Sequence, residues 1–324
     1  MRALVYEGPR VMNMREVEIP EPKADEVLVR VAYAGICGSE LGGYLGHNSL
    51  RKPPLIMGHE FTGIVERAGR SAGHWKQGDR VVVNPLVTCG DCLNCMSQQE
   101  QLCGTRALLG AHRPGAFAEY VVVPASNVLQ LPDSVTLVDG VLTEPLACAA
   151  HIGRLLNWSP QDRLLIYGAG PIGLFVLAAA HIHGLRKIVI VDINEERLEI
   201  AREMGGQGVV AAEGDYDVAV DAVGASITRQ RCVEAVKAGG KVVFTGLHEA
   251  DSVLPINDII RREIMCRGAF AYAPQDFANA LEWLEQGRVD MTSWMRVLPL
   301  EEGAAGFETL LGSPGGIAKI LLKP

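Results

Sequence analysis

Residues 163–192 read RLLIYGAGPIGLFVLAAAHIHGLRKIVIVD, and the fold turns on this stretch. Arg163–Tyr167 is a short apolar run of strand type. Gly168, Gly170 and Gly173 follow at GxGxxG spacing, and an apolar helical run extends from about Pro171 to His183. A second β-branched run, Lys187–Val191, ends at Asp192. Each part has a mechanical reason. Gly168 allows a tight strand-to-helix turn, Gly170 lets a pyrophosphate approach the backbone, and Gly173 permits close helix packing. The helix N-terminus, with Pro171 and Ile172 in its first turn, faces the phosphates. Asp192 lies nineteen residues past Gly173, where a carboxylate accepts hydrogen bonds from ribose hydroxyls and repels a 2′-phosphate. Ile193 and Asn194 come next, so no Arg immediately follows to hold such a phosphate. The plain alternative is a glycine turn without a nucleotide; the flanking strands and Asp192 speak against it. The candidate set is Gly168, Gly170, Pro171, Ile172, Gly173, Asp192 and Arg197, with NAD as the expected cofactor.

Downstream the alternation continues. The segment Asn194–Met204 reads as a helix, Asp217–Asp221 and Lys241–Thr245 as strands with a helix near Ile227–Lys237 between them, and Ile264–Ala271 as a last strand. Repeated βαβ units predict an α/β fold with a doubly wound parallel sheet. The first third is different: Leu4–Tyr6, Val27–Ala34, Phe61–Arg67 and Arg80–Val83 are short β-branched runs bounded by Pro and Gly. The pattern changes after Thr143-Glu144-Pro145. The tail adds an amphipathic helix near Phe277–Gln286 and a closing strand, Ile317–Leu322.

With 324 residues the chain is long enough for two domains. Hydrophobic residues make up 48% and charged residues 21%, an ordinary globular composition. The net charge of −8 argues against nucleic acid or an anionic membrane as the main partner. Leu164–Leu185 carries no Lys, Arg, Asp or Glu, but Gly168, Gly170, Pro171 and Gly173 interrupt it, so no transmembrane span is expected. No signal peptide is expected either, since Glu7 follows only four apolar residues. Eight Cys, four of them clustered, fit a reducing cytoplasm better than a disulfide scaffold.

That cluster is Cys89-x2-Cys92-x2-Cys95-x7-Cys103. Four thiolates this close can wrap one tetrahedral zinc, and with four Cys bound no position is left for water, so the site is expected to be structural. Iron–sulfur ligation and chance clustering of thiols are the alternatives. A second, dispersed set comprises Cys37 in Gly35-Ile36-Cys37-Gly38-Ser39-Glu40, His59-Glu60 after Gly58, and Glu144 before Pro145. Taken singly, these are a core thiol, a buried imidazole and surface acids. Together they are a thiolate, an imidazole and carboxylates suited to an open zinc site of three ligands plus water. The remaining histidines (His74, His112, His151, His181, His183 and His248) read as ordinary surface or core residues. Cys148, Cys232 and Cys266 read as core thiols.

In this order along nearly the whole chain, these motifs resemble the zinc-dependent medium-chain dehydrogenases, especially their polyol (sorbitol-like) branch. The resemblance implies a GroES-like β-barrel catalytic domain, at 1–145 and 271–324, with a structural zinc lobe at about 86–104. It also implies a Rossmann NAD-binding domain at 146–270. Two zinc ions per chain are expected. The structural ion would be held by Cys89, Cys92, Cys95 and Cys103, and the catalytic one by Cys37, His59 and a glutamate, either Glu60 or Glu144. Ser39, Glu60 and Glu144 are the implied catalytic residues, with Ser39 taking the substrate proton. The implied reaction is reversible, NAD-dependent oxidation of a secondary alcohol, a polyol or sugar alcohol, to a ketone. A homo-oligomer, dimer or tetramer, is implied as well.

Three departures from the family pattern stand out. Glu40 replaces the usual Asp that orients the zinc-bound His. Gly42 stands where many members carry a proton-relaying His, leaving a water chain as the expected route and His47 as the other. The Rossmann half is short: only Ala212–Tyr216 separates a candidate third strand, Gly208–Ala211, from the next, whereas a parallel crossover ordinarily needs a dozen or more residues. A vestigial third strand and one deleted crossover helix are therefore expected. The alternatives for function are a threonine-type amino-alcohol dehydrogenase and a non-enzymatic zinc- and nucleotide-binding redox sensor.

Overall fold

The computed structural model describes residues 1–312 and 314–324. The chain forms two compact units, Met1–Glu144 with Ala280–Pro324, and Pro145–Asn279. It opens with strands β1 (Arg2–Gly8), β2 (Val11–Glu16), β3 (Glu26–Gly35), β4 (Leu55–Ile56), β5 (Glu60–Ala68), β6 (Arg80–Val83), β7 (Leu86–Val87), β8 (Ala107–Leu108), β9 (Tyr120–Pro124) and β10 (Val128–Gln130). Short helices α1 (Gly38–Tyr44) and α2 (Leu93–Met96) interrupt them, and α3 (Thr143–Leu156) follows. Then come β11 (Arg163–Tyr167), α4 (Pro171–Ile182), β12 (Lys187–Val191), α5 (Glu195–Glu203), β13 (Gln207–Val209), β14 (Tyr216–Asp221), α6 (Ser226–Ala235) and β15 (Val236–Phe244). The chain ends with α7 (Ile256–Arg261), β16 (Met265–Gly268), α8 (Pro274–Glu285), β17 (Met295–Pro299), α9 (Gly303–Gly312) and β18 (Lys319–Lys323).

Among the described residues, the first unit is built on a seven-stranded sheet in the order β10-β6-β5-β3-β18-β17, with β9 also paired to β3. Alternating β-branched and aromatic residues bury one face, and Val27, Val29, Phe61, Val81, Phe117, Phe307 and Ile320 share one core. The centre of the sheet matters most for function. At the end of β3, Gly35 pairs with Glu60 on β5 and with Leu321 on β18. The strands thus bring Cys37, Glu60 and Lys319 to one end of the sheet. Gly35 has a steric reason to be glycine: an added Cβ would overlap Glu60 Oε2 and sit 2.9 Å from Lys319 Cε.

The second unit is a six-stranded parallel sheet, β13-β12-β11-β14-β15-β16. The order reverses between β11 and β14, and ligands of such sheets bind outside the carboxyl ends of the strands at that point. The glycine turn lies there, directly after β11. The expected vestigial third strand is β13, three residues long at the sheet edge, and six residues, Val210–Asp215, lead from it to β14 without a helix. Three strand spacings of about 4.8 Å make about 14 Å, which a six-residue extended segment spans at about 3.4 Å per residue. A helix could not be fitted into that length. The helix expected near Ile227–Lys237 stops at Ala235. Val236 is fully buried and pairs with Tyr216, so the chain has already entered β15. Cys266 is not the core thiol expected; it lies exposed on the edge strand β16.

Within this unit a buried charge cluster ties α3 to α8. Asp276 is 1% exposed. It accepts hydrogen bonds from Arg154 Nε (2.8 Å), His151 Nδ1 (2.8 Å) and the backbone N–H of Ala273 (2.9 Å). Burial works to raise its pKa, but the Arg154, His151 and Ala273 donors outweigh it and hold the carboxyl at about 2. A carboxyl depressed from an unfolded value of ~3.9 contributes stability above that pH and loses it as the pH falls towards about 2. Asp276→Asn should therefore cost about 3 kcal/mol in urea unfolding at pH 7. The gap to the unsubstituted protein should narrow between pH ~4 and ~2. A gap independent of pH would contradict this assignment.

Candidate metal and nucleotide sites

β3 delivers Cys37 directly into α1, where it is the residue that begins the helix, in extended conformation. Glu40, in the first turn, is fully buried. Its Oε2 accepts from the Cys37 backbone N–H (3.0 Å), and its Oε1 accepts from the Gly58 N–H (2.8 Å) and faces His59 Nδ1 at 2.8 Å. A carboxylate on Nδ1 sets the tautomer, so Nε2 is left with its lone pair for a metal. The extra methylene of Glu40 is accommodated, because the side chain folds back on the turn that carries it.

Cys37 Sγ, a ring nitrogen of His59 and a carboxylate oxygen of Glu60 all lie within 4.8 Å of one another. Glu60 is fully buried, one oxygen is paired with Lys319 Nζ, and Oε1 has no hydrogen-bond partner. Burial opposes an imidazolium at His59, yet Glu40 and Cys37 together raise its pKa well above the usual value. This pocket attracts positive charge, and its donors (sulfur, imidazole and carboxylate) suit zinc. Glu144 is not a member of the three-residue set. It is buried in the first turn of α3 and contributes to raising the pKa of Lys319.

Lys319 was not legible as a site residue. It is 2% exposed at the start of β18, and burial works against its charge. Glu60 and Cys37 outweigh that and raise its pKa. Arg51 was also missed. Its Nη2 donates to Ser39 Oγ at 3.0 Å, and Ser39 Oγ lies 3.5 Å from Cys37 Sγ. Ser39 thus stands beside the Cys37 sulfur, with an arginine behind it. His47 is exposed, and its backbone N–H donates to Gly42 O (2.9 Å). The nearest atom to a Cβ built on Gly42 is Asn48 Cβ at 4.0 Å, so the place of the missing histidine is open space.

The four-cysteine lobe forms a second cluster. Sulfur separations are 3.5 Å (Cys92–Cys95), 3.5 Å (Cys89–Cys103) and 3.8 Å (Cys89–Cys95). A tetrahedron of Zn–S bonds of about 2.3 Å has edges of about 3.8 Å, so the sulfurs already stand at zinc spacing. Without a cation four thiolates repel one another. Backbone and Thr105 hydrogen bonds pull Cys103 down to about 6, while Cys89 is pushed up to about 12, chiefly by Asp91.

In the second unit, Gly168 has φ of +99°, a conformation side chains rarely adopt. A Cβ on Gly173 would overlap Gly168 O, whereas one on Gly170 would meet nothing within 4 Å. The turn is therefore closed on its inner side and open where a pyrophosphate would lie. Pro171 occupies the first turn of α4. Asp192 Oδ2 accepts from the Ala169 N–H (2.7 Å) and Oδ1 from the Asn194 N–H (2.8 Å), which fixes the carboxylate against the glycine turn. Arg197 lies in the first turn of α5, its N–H bonded to the capping Asn194 side chain at 3.1 Å.

A doubly wound sheet with an open glycine turn, in one chain with two metal-type clusters, defines the class: a metal- and dinucleotide-binding oxidoreductase fold. Residues 23–133 match the family described as alcohol dehydrogenase GroES-like domain, and residues 171–286 match zinc-binding dehydrogenase. L-Idonate 5-dehydrogenase of Vitis vinifera is 31% identical over 88% of this chain and 83% of its own length. The starvation-sensing protein RspB of Escherichia coli K12 is 38% identical over 65% of this chain, and the match spans 62% of that relative's length. The solved rspB structure from E. coli CFT073, complexed with NADH, superposes with a TM-score of 0.94 at 29% identity, covering 100% of this chain and 99% of that one. The chain belongs to the zinc-dependent medium-chain dehydrogenase family, and its fold is the family's GroES-like plus Rossmann type.

The steric reading of the turn gives a direct check. Gly173→Ala forces α4 away from Gly168 and should destabilise the protein by about 3 kcal/mol, the upper range for overpacking. Gly170→Ala should fold normally and lose affinity for the nucleotide instead. Melting curves alongside NADH fluorescence titrations separate the two outcomes, and equal stability of both variants would contradict the reading.

Proposed function

We propose that the protein catalyses reversible, NAD-dependent oxidation of a secondary alcohol, a polyol or sugar alcohol, to a ketone, using two zinc ions per chain. The observation that carries this is the Cys37–His59–Glu60 set with the Ser39 hydroxyl 3.5 Å from Cys37 Sγ. An open three-donor set beside a hydroxyl suits alcohol oxidation, whereas the closed four-cysteine lobe suits only structure. The relative named L-idonate 5-dehydrogenase supports a polyhydroxylated substrate.

Cys37, His59 and Glu60 would hold the catalytic ion, with Glu144 the other candidate for the third place; Cys89, Cys92, Cys95 and Cys103 would hold the structural one. When bound, zinc lowers the pKa of the substrate hydroxyl and NAD accepts the hydride. The chain's own residues do the rest. Glu40 keeps the proton of His59 on Nδ1. Lys319 balances the charge of Glu60 in a dry environment. Ser39 Oγ accepts the proton released by the substrate and passes its own on, with a water chain past Gly42 as the route. At the nucleotide, each oxygen of Asp192 already accepts one N–H, and a carboxylate oxygen has a second lone pair for a ribose hydroxyl.

Two features extend the same reading. β16 is an open sheet edge with Met265–Gly268 exposed, which supports pairing with a second copy. None of the eight cysteines is in a disulfide, which supports the cytoplasm. Among the described residues no helix is long and apolar enough to cross a membrane.

Elemental analysis of active protein should find two zinc ions per chain. Cys37→Ala should retain one zinc and its fold while losing NADH formation; Cys95→Ala should lose the other zinc and melt at lower temperature. One zinc in fully active protein would overturn the two-site scheme, and one zinc with no turnover of any polyol would favour a sensor. NAD should exceed NADP in kcat/KM by about tenfold or more, and Asp192→Ala should narrow that ratio. Equal use of both cofactors by the unsubstituted protein would remove the assigned role of Asp192.

A further inference from the structure

Arg51 is 3% exposed. Its stem lies in a slot beneath α1 that exists because residue 43 is glycine. A Cβ on Gly43 would overlap Arg51 Cδ and crowd its Cβ and Cγ at 3.2 and 3.3 Å. At the end of the slot the guanidinium meets the catalytic hydroxyl, Nη2 to Ser39 Oγ at 3.0 Å. Among the described residues this is its side chain's one hydrogen bond, no carboxylate pairs with it, and Nε is buried with no partner. Glu40 feels the charge only at longer range.

A guanidinium offers five N–H donors and stays protonated in proteins. Burying it with one donor used is costly, because donors are left without partners and the Glu40 carboxylate offsets the charge only through space. Packing does not need this cation, since an uncharged side chain of similar length would fill the slot under Gly43. Relay does not explain it either: a group that never gives up its proton cannot carry one away from Ser39. What the guanidinium lacks, among the described residues, is an anion within hydrogen-bond reach. A planar fork matches two oxygens of a carboxylate or phosphate, and such charge-assisted bonds are about twice as strong as neutral ones.

We infer that Arg51 determines substrate specificity by binding an anionic oxygen group, carboxylate or phosphate, carried by the polyol close to the carbinol that sits at Ser39. This rests on the dehydrogenase reading, which puts the carbinol at Ser39, and it narrows the substrate class from polyols to polyol acids or polyol phosphates. The bland competitor is that Arg51 only positions Ser39, in which case neutral and anionic ligands would suffer alike from its loss.

The test is calorimetric binding of sorbitol, gluconate and sorbitol 6-phosphate to the zinc-loaded protein without NAD, so that no turnover occurs. One anionic ligand should bind about tenfold to a hundredfold tighter than sorbitol, and which one does so separates carboxylate from phosphate. In Arg51→Gln that ratio should fall to about one, and in Arg51→Lys, which keeps the charge but not the fork, it should be intermediate. Melting curves of both variants establish that they are folded. Wild-type ratios near one, no binding of any of the three, or a ratio that survives Arg51→Gln would each overturn the inference. NAD is then added to the same samples. Tight, Arg51-dependent binding without NADH formation would count against the dehydrogenase reading while leaving the anion site standing.

Discussion

The barrel unit is organised around a fully buried ion pair, Glu60 with Lys319, held beneath Gly35 where β3 runs between β5 and β18. Desolvating two charges costs several kcal/mol each, and their attraction offsets this only with close geometry. The sheet supplies that geometry because neither partner sits on a loop: Glu60 opens β5 and Lys319 opens β18. The missing Cβ at Gly35 lets the two side chains meet across the intervening strand. The same register places Cys37 two residues past Gly35, so the pair's position and the sulfur's position are one fact about strand pairing. Glu40 continues the arrangement into α1, tying the Cys37 backbone, the Gly58 backbone and the His59 ring with one carboxylate. Cys37 and His59 lie just outside the strands and the helix, and Glu40 ties both to α1.

Much of this was readable in the sequence because its signals are local. The strands β11 and β12 have the very bounds their β-branched runs suggest, and GxGxxG with Asp192 gave the turn. The four cysteines lie within fifteen residues. Cys37, His59 and Glu60 stand out in the sequence only through their resemblance to a family motif, and the structure brings the three together. What was missed is non-local. Lys319 lies in the run Lys319–Lys323, which reads as an ordinary closing strand, and only the pairing of β18 with β3 brings it to Glu60. Arg51 follows a polar loop, and nothing in its spacing marks a contact with Ser39 twelve residues earlier. The Cys266 error has the opposite cause: a thiol reads as apolar, but β16 is an edge strand whose residues are exposed.

The shortened nucleotide unit shows how a crossover can be lost while the turn is kept. The glycine turn lies between β11 and α4, and Asp192 follows β12; both precede the deletion at Val210–Asp215. The truncated β13 has only to pair with β12, and it is joined to β14 by six residues without a helix. Its loss of length lowers what it can bury. Yet Ile166, Val191, Val220 and Val243 remain buried in the four strands beside it, so the core of the sheet does not depend on the missing helix.

The proposed ribose contact of Asp192 cannot be separated from its hold on the backbone. Its Oδ2 holds the Ala169 N–H inside the glycine turn, and its Oδ1 holds the Asn194 N–H that begins the approach to α5. Asn194 in turn caps α5 through the Arg197 N–H. The carboxylate proposed to read the ribose is thus also the strut joining the turn to the next helix. Replacing it to admit a 2′-phosphate removes a negative charge, but it also leaves two backbone donors to find other partners at a cost of about 1 kcal/mol or more each. On the proposed role of Asp192, cofactor choice is therefore coupled to the rigidity of the turn itself. A switch towards NADP would need a second substitution that restores those hydrogen bonds from a neutral side chain.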